Sequence, residues 1–392
     1  MVNPITTGAP RSHFNCAGAA LPEPAVIRAI TEHFALEAEL GPMEAGVAIT
    51  PQLNIGRENI ARLIGAHADE IAFASSGSMA HGLAFAALPR LRAGERILVG
   101  RQEWGGNLAS YQQAAQCAGA TVEVIPCLDD GSVDTHALAQ MLDARVRLVS
   151  LTWLPANGGL INDAAAIGRI TRAAGVPYFI DAGQALGQLP VDVASLQCDV
   201  LKSAGRKHLR GPRGTAILYV RKSFLAQTEP AFLSTLAAPE IDGNLDRQLT
   251  LRGDARRFEC GELNSALSLG LCAAVQQTLQ IDLAARFASI QARAMELRAQ
   301  LAEIPGVSLC DLGAVKNRSG LVSFTLKNMD TNSAKARLAE QNLTLAANGV
   351  LYTPLDMRAR GLDSVLRASL SELNTDDEVA RLVSAVAGLS RE

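Results

Sequence analysis

Phe179-Ile180-Asp181-Ala182-Gly183-Gln184-Ala185-Leu186-Gly187 is followed, after a short linker, by Ser203-Ala204-Gly205-Arg206-Lys207-His208-Leu209-Arg210-Gly211-Pro212. In the first stretch the apolar run from Val176 to Ile180 delivers Asp181 at its C-terminal end, where open α/β sheets bind ligands. In the second, Val200 and Leu201 deliver a turn of small residues and then Lys207. A carboxylate and an amine at two such strand ends are what pyridoxal phosphate needs. The carboxylate keeps the ring nitrogen protonated, and the amine forms a Schiff base with the aldehyde. Each piece alone is common in α/β proteins, so the rest of the chain decides.

The 392 residues have room for two domains and a large core. Apolar residues make up 48% of the chain and glycines number 33, which fits an α/β enzyme. A net charge of −3 gives no reason to expect a nucleic-acid or membrane partner. Met1 to Arg11 lacks a basic segment followed by an apolar core, so no secretory signal is read; the cytoplasmic location expected here rests on the cysteines. No apolar run is long enough to span a bilayer. The seven cysteines (Cys16, Cys117, Cys127, Cys198, Cys260, Cys272, Cys310) are scattered and free of CxxC spacing. They read as reduced thiols, with Cys16, Cys260 and Cys272 as small buried residues, and no zinc site is expected. The histidines form no HxxxH pair, so metal catalysis has no support.

From about residue 20 to 220, helical and strand-like patterns alternate. Strand-like runs fall at Ile71–Ala74, Arg96–Val99, Thr121–Ile125, Arg147–Thr152, Tyr178–Ile180, Asp199–Leu201 and Thr215–Val220. Helical segments include Pro22–Leu40, Asn107–Ala118 ended by Gly119, and Asp163–Ala174 ended by Gly175. This alternation predicts a mostly parallel sheet covered on both faces. After Asp254 come helices at Leu263–Gln280 and Ala284–Ile304, strands at Val307–Leu309 and Leu321–Leu326, a helix near Ser333–Glu340 and a strand-like run ending at Arg367. A last helix opens with a Thr375/Glu378 capping box. This texture predicts a small α+β domain.

Three more segments sit where a cofactor would need them. Phe73-Ala74-Ser75-Ser76-Gly77-Ser78 runs from a strand into a helix start, a phosphate-binding arrangement. Glu103-Trp104-Gly105-Gly106-Asn107 offers an aromatic ring after the next strand, and Pro155-Ala156-Asn157-Gly158-Gly159 a polar turn after a later one. The ordered set resembles the class V aminotransferase family of fold-type I pyridoxal phosphate enzymes, which includes the cysteine desulfurases. The likeness extends from Phe14-Asn15-Cys16 to Val365-Leu366-Arg367 and the segment from Asn374 to Val379.

The resemblance implies a large cofactor-binding domain over residues 15–280 with a mostly parallel seven-stranded sheet. A small C-terminal α+β domain would cover 281–392, with residues 1–14 packing near it. It implies Lys207 as the Schiff-base lysine, Asp181 as the partner of the ring nitrogen and Gln184 as donor to the phenolic oxygen. Trp104 falls at the ring-stacking position, usually histidine in the family. Gly77 and Ser78 match the phosphate turn, helped by Ser203. The polar turn residue is Ala156 or Asn157, with Asn157 taken as the cofactor contact. Arg367 matches the arginine that binds the substrate carboxylate, and Tyr352 is a candidate to reach the substrate. Arg256 and Arg257 read either as phosphate ligands across a homodimer interface or as surface charge. His13 and His208 read as structural.

The desulfurases carry a catalytic cysteine shortly before that arginine, and Ala347 to Asp356 has none. Arg206 stands in place of a histidine, and Ala204 in place of a hydroxyl. Glu103-Trp104-Gly105-x-Asn107, Arg206-Lys207 and Arg257-Phe258-Glu259 look closest to the branch holding the C–S lyases of ergothioneine biosynthesis. The expectation is therefore a homodimeric pyridoxal phosphate C–S β-lyase acting on a cysteine-derived amino acid. Transamination or epimerisation, partner-dependent desulfuration and ligand binding without turnover are the alternatives.

Overall fold

The computed structural model describes residues 11–246, 248–259 and 261–392; Cys260 and the start of the chain lie outside them. Its strands in chain order are β1 (Ser12–His13), β2 (Ile71–Ala74), β3 (Arg96–Val99), β4 (Thr121–Val124), β5 (Val146–Thr152), β6 (Tyr178–Asp181), β7 (Val200–Ala204), β8 (Ala216–Val220), β9 (Val307–Leu309), β10 (Leu321–Leu326), β11 (Leu343–Thr344), β12 (Ala346–Gly349) and β13 (Ser364–Ser369). The large sheet is seven-stranded in the order β2-β8-β7-β6-β5-β3-β4. It is parallel except for β8, which runs against both β2 and β7. The connection from β7 to β8, residues 205–215, forms a compact turn with no helix, which explains β8, because a parallel crossover needs a dozen or more residues and usually a helix.

Central strands β6, β7 and β8 are buried along their whole length, as a sheet covered on both faces requires. Apolar side chains fill both sides, with Ile60, Tyr178, Ile180 and Leu201 on one and Tyr111, Phe179, Leu218 and Phe258 on the other. The helices Gly105–Ala118 and Ala164–Ala174 stop at Gly119 and Gly175, whose φ of 68° and 67° suits a glycine cap.

The C-terminal part builds a four-stranded antiparallel sheet, β12-β13-β10-β9, under the helices Leu283–Ala302 and Asp376–Leu389. The last helix carries the Thr375/Glu378 capping box. Ser265–Thr278 packs on the helices Pro24–Leu40 and Thr50–Ile64, whereas Leu283–Ala302 contributes Ile290, Ala294 and Leu297 to the small core. β1 pairs in parallel with β11, tying the N-terminal segment to that same unit. We propose residues 280/281 as the division between the two. Among the described residues no helix is long and apolar enough to cross a membrane, and no cluster of metal-ligating side chains is gathered.

Chain order sets where ligands go. β3 leads outward to β4, and β5 returns to the other side of β3. The strand order reverses there, leaving a crevice beyond the C-terminal ends of β3 and β5.

Candidate active site

A cleft of about 540 Å³ opens at these strand ends, with the small unit forming its far wall through Lys335, Asn348, Tyr352 and Arg367. Asp181 ends β6 at its floor. Its Oδ1 accepts from the Gly183 N–H (2.9 Å), and its Oδ2 from Asn107 Nδ2 (3.2 Å) and Lys202 Nζ (2.5 Å). Burial pushes the carboxyl pKa up, but the cations Lys202 and Lys207 outweigh it and hold Asp181 below the ordinary carboxylate value. Asp181 is therefore an anion at neutral pH.

Lys207 follows β7 in a turn locked by Gly205 N–H to Thr215 O (3.0 Å) and Gly211 N–H to Gly205 O (2.8 Å). A Cβ at Gly205 would lie 2.3 Å from Thr215 Oγ1, so this turn requires glycine. Desolvation lowers the Lys207 pKa to about 7; Asp181 opposes the shift, while Lys202, Arg206 and Arg367 add to it. The amine is thus a ready nucleophile and base near neutrality. The rate at which cofactor-free protein captures an aldehyde should rise with pH through about 7 and then level off, as read by stopped-flow absorbance. A midpoint near that of ordinary lysine would contradict this environment.

Gly77 and Ser78 open the helix Gly77–Ala86 and line the cleft, while Ser76 Oγ caps the helix by accepting from Met79 N–H (3.1 Å). The Trp104 ring centroid lies 6.0 Å from Lys207 Nζ and stands edge-on to Tyr352 at 5.4 Å. Gln184 Nε2 donates to Ala17 O (3.0 Å), and its Oε1 is buried with no partner among the described residues. Arg367 on β13 is 2% exposed, yet only neutral oxygens meet it: Nη1 donates to Ala156 O (2.9 Å) and Nη2 to Asn15 Oδ1 (3.2 Å). Its Nε is unpartnered among the described residues. Burial lowers its pKa to about 10, so it remains a cation, with no acidic partner among the described residues.

Two expected cofactor contacts face elsewhere. Side chains alternate along β7, so Lys202 and Ala204 line the cleft while Ser203 points through the sheet and donates to Ala182 O (3.4 Å). Asn157 is buried behind the cleft, donating to Thr353 Oγ1 (3.0 Å) and accepting from Asn348 Nδ2 (2.8 Å); Ala156 lines the wall instead. Asn157 thus joins the two units rather than meeting a cofactor. Arg257 is likewise turned inward, donating to Leu225 O, so its surface-charge reading does not hold.

The set fits pyridoxal phosphate on what the structure shows. The anionic Asp181 and the amine of Lys207 flank Gly183, where a Cβ would lie 2.9 Å from Asp181 Oδ1 and 3.1 Å from Lys207 Nζ, so any side chain there would crowd both groups. Residues 13–382 match the family aminotransferase class-V. The chain belongs to that family. It is accordingly a pyridoxal phosphate enzyme of fold type I. Among sequence relatives, a probable cysteine desulfurase of Xylella fastidiosa is 30% identical over 87% of this chain and 81% of its own. The apo cysteine desulfurase of Thermococcus onnurineus NA1 superposes with a TM-score of 0.88 at 24% identity, covering 97% of this chain and 95% of that one. The cystine C–S lyase C-DES, in complex with its reaction product cysteine persulfide, gives 0.85 at 24% identity over 97% and 98%.

Sequence reasoning missed the polar network behind the site. Glu103 is fully buried, and it accepts from Thr152 Oγ1 (2.7 Å), Ser150 Oγ (2.9 Å) and Asn107 Nδ2 (2.9 Å). Asn107 passes this order on to Asp181, and Tyr111 OH holds Ser150 (2.8 Å). Burial raises the Glu103 pKa while these hydrogen bonds oppose it. The available signal was an acid, Glu103, placed just before a helix start that carries Asn107 in its first turn. Lys202 was missed as well.

Proposed function

We propose that the protein is a C–S β-lyase acting on a cysteine-derived amino acid. One observation carries this reading: the cleft assembles a lysine whose pKa is lowered to about 7, an anionic acid and an arginine without an acidic partner among the described residues, while no described cysteine lines it. Cys16 is buried in the turn after Asn15, against a separate small cavity bordered by His13 and Arg210, and burial raises its pKa to about 11. Cys310 sits against Met357 and Val365, its pKa also raised by burial. Neither is a ready sulfur acceptor.

Bound pyridoxal phosphate supplies an electron sink for the charge left when Cα loses its proton. Arg367 would hold the α-carboxylate through its planar, two-donor face, and Trp104 would pack against the cofactor. Lys207, a free base near pH 7, takes the Cα proton. Asp181 stabilises positive charge on the ring nitrogen, with Asn107 and Gly183 fixing its orientation. Tyr352 borders the leaving group. The Cβ–S bond breaks with its electron pair going to sulfur, and water then releases pyruvate and ammonia. Overall, the thioether amino acid and water give thiol, pyruvate and ammonium.

Arg367→Lys should raise KM by about 30-fold with cofactor binding near normal, because a charge-assisted bidentate contact is worth roughly 2 kcal/mol. Steady-state kinetics beside a cofactor titration measures both. An unchanged KM would make Arg367 structural.

The relatives' names favour desulfuration as the second reading. A homodimer is part of the proposal. Ile27, Phe34, Met43 and Val47 expose an apolar face, and so do Phe232, Ile241 and Leu245. The test offers cysteine, cystine and S-substituted cysteines to the parent and to a variant with all seven cysteines replaced. Pyruvate from both, with no protein-bound sulfur, supports the lyase. A protein persulfide with alanine as product would establish desulfuration instead.

A further inference from the structure

β7 places a lysine where a buried strand facing the cleft has little reason to carry a charge. Lys202 is 6% exposed, and its Nζ has one partner among the described residues, Asp181 Oδ2. An ammonium group has three N–H donors, so two are left over in a site where unmet buried donors are costly. The side chain lies against the first turn of the helix Gly77–Ala86. A Cβ built on Gly77 would be 3.6 Å from Lys202 Nζ, 3.7 Å from its Cδ and 3.8 Å from Ala204 Cβ. The ammonium and the Ala204 methyl therefore border the same small space at that helix start.

Ala204 has no hydroxyl there and Ser203 is turned through the sheet, so the hydroxyls left beside this space are those of the Ser75–Ser78 turn and Thr215, none of which carries a charge. Arg213 is exposed at the rim. Asp181 is the only acidic side chain lining the cleft among the described residues, and Lys202 already neutralises it.

We propose that Lys202 is the anchor of the cofactor's phosphate, bridging Asp181 to the Gly77–Ser78 turn and replacing the hydroxyl that Ala204 lacks. This rests on the cofactor reading of the cleft and adds to it a residue of this chain. One N–H stays on Asp181, and the others turn to phosphate oxygens. A charged donor buried beside a helix N-terminus binds a phosphate dianion strongly, whereas an uncharged ligand without the phosphate gains nothing from it.

The test compares the affinity of cofactor-free protein for pyridoxal phosphate with that for pyridoxal, by quenching of Trp fluorescence. Lys202→Gln can still donate to Asp181 but carries no charge. It should lower the ratio of the two affinities by about tenfold to a hundredfold, chiefly through pyridoxal phosphate. Lys202→Arg should hold the ratio within a few-fold, and Lys202→Gln/Ala204→Ser should recover part of it. An unchanged ratio, including equal losses for both ligands, would overturn the proposal and leave Lys202 as the counter-ion of Asp181. Parent protein that binds neither ligand would instead count against the cofactor reading. If Lys202→Gln does not fold, 15N-lysine labelling of the parent answers the question. The Lys202 ammonium signal, assigned through Lys202→Arg, should shift with inorganic phosphate, and a stationary signal would overturn the proposal.

Discussion

Lys207→Ala should give a folded protein that still takes up pyridoxal phosphate but turns over at least about 1,000-fold more slowly, because it loses nucleophile and base together. The side chain projects into an open cleft, so its removal leaves no sealed cavity and stability should hold. A lysine whose pKa is lowered to about 7 by burial is charged at a net cost to the folded state, so its loss should not lower stability at neutral pH. Single-turnover kinetics and a denaturant titration separate the two effects. Activity within tenfold of the parent would move the base elsewhere, with Lys202 the nearest amine.

Asp181→Asn should act on chemistry and stability alike. Losing the anion at the ring nitrogen should lower kcat by roughly 100-fold or more, the scale on which preorganised charge acts. Lys202 would also be left buried without its counter-ion, a loss of roughly 3–5 kcal/mol in unfolding free energy. The pH dependence has a definite sign. Asp181 has a depressed folded pKa, so the stability it contributes is present above the ordinary carboxylate pKa and is lost only as pH falls through the folded value. The parent's advantage over Asp181→Asn should therefore be flat around neutrality and shrink in acid. A variant as stable as the parent would mean that the Asp181–Lys202 contact contributes nothing net.

The large sheet was legible because its strands announce themselves by short apolar runs between glycine-capped helices. β2 and β3 fall where their apolar runs lie, and β5 and β8 differ by one residue at the start. The structure brings into one cleft the residues read at a strand end or in a turn, Asp181, Trp104 and Lys207. Legibility failed where a pleat decides. The apolar run stops at Leu201, but β7 continues to Ala204, and those three extra residues determine which side chains see the cleft. A strict two-residue alternation continued through Ala204 puts Lys202 inside and Ser203 outside. Asn157 was misplaced for a related reason: its turn is shaped by Thr353 and Asn348, distant in sequence and supplied by the other unit. The helices Pro42–Ala48 and Thr50–Ile64 were not anticipated; the second has a nearly neutral mix of polar and apolar residues and is held by its packing on Ser265–Thr278.

Two buried lysines share one cleft, so the central claim comes down to which of them carries the cofactor. Borohydride reduction of the cofactor-loaded protein, followed by peptide mapping, answers this directly. The account predicts a single reduced adduct on Lys207, with Lys202 unmodified, and loss of the visible absorption band. An adduct on Lys202 would contradict it.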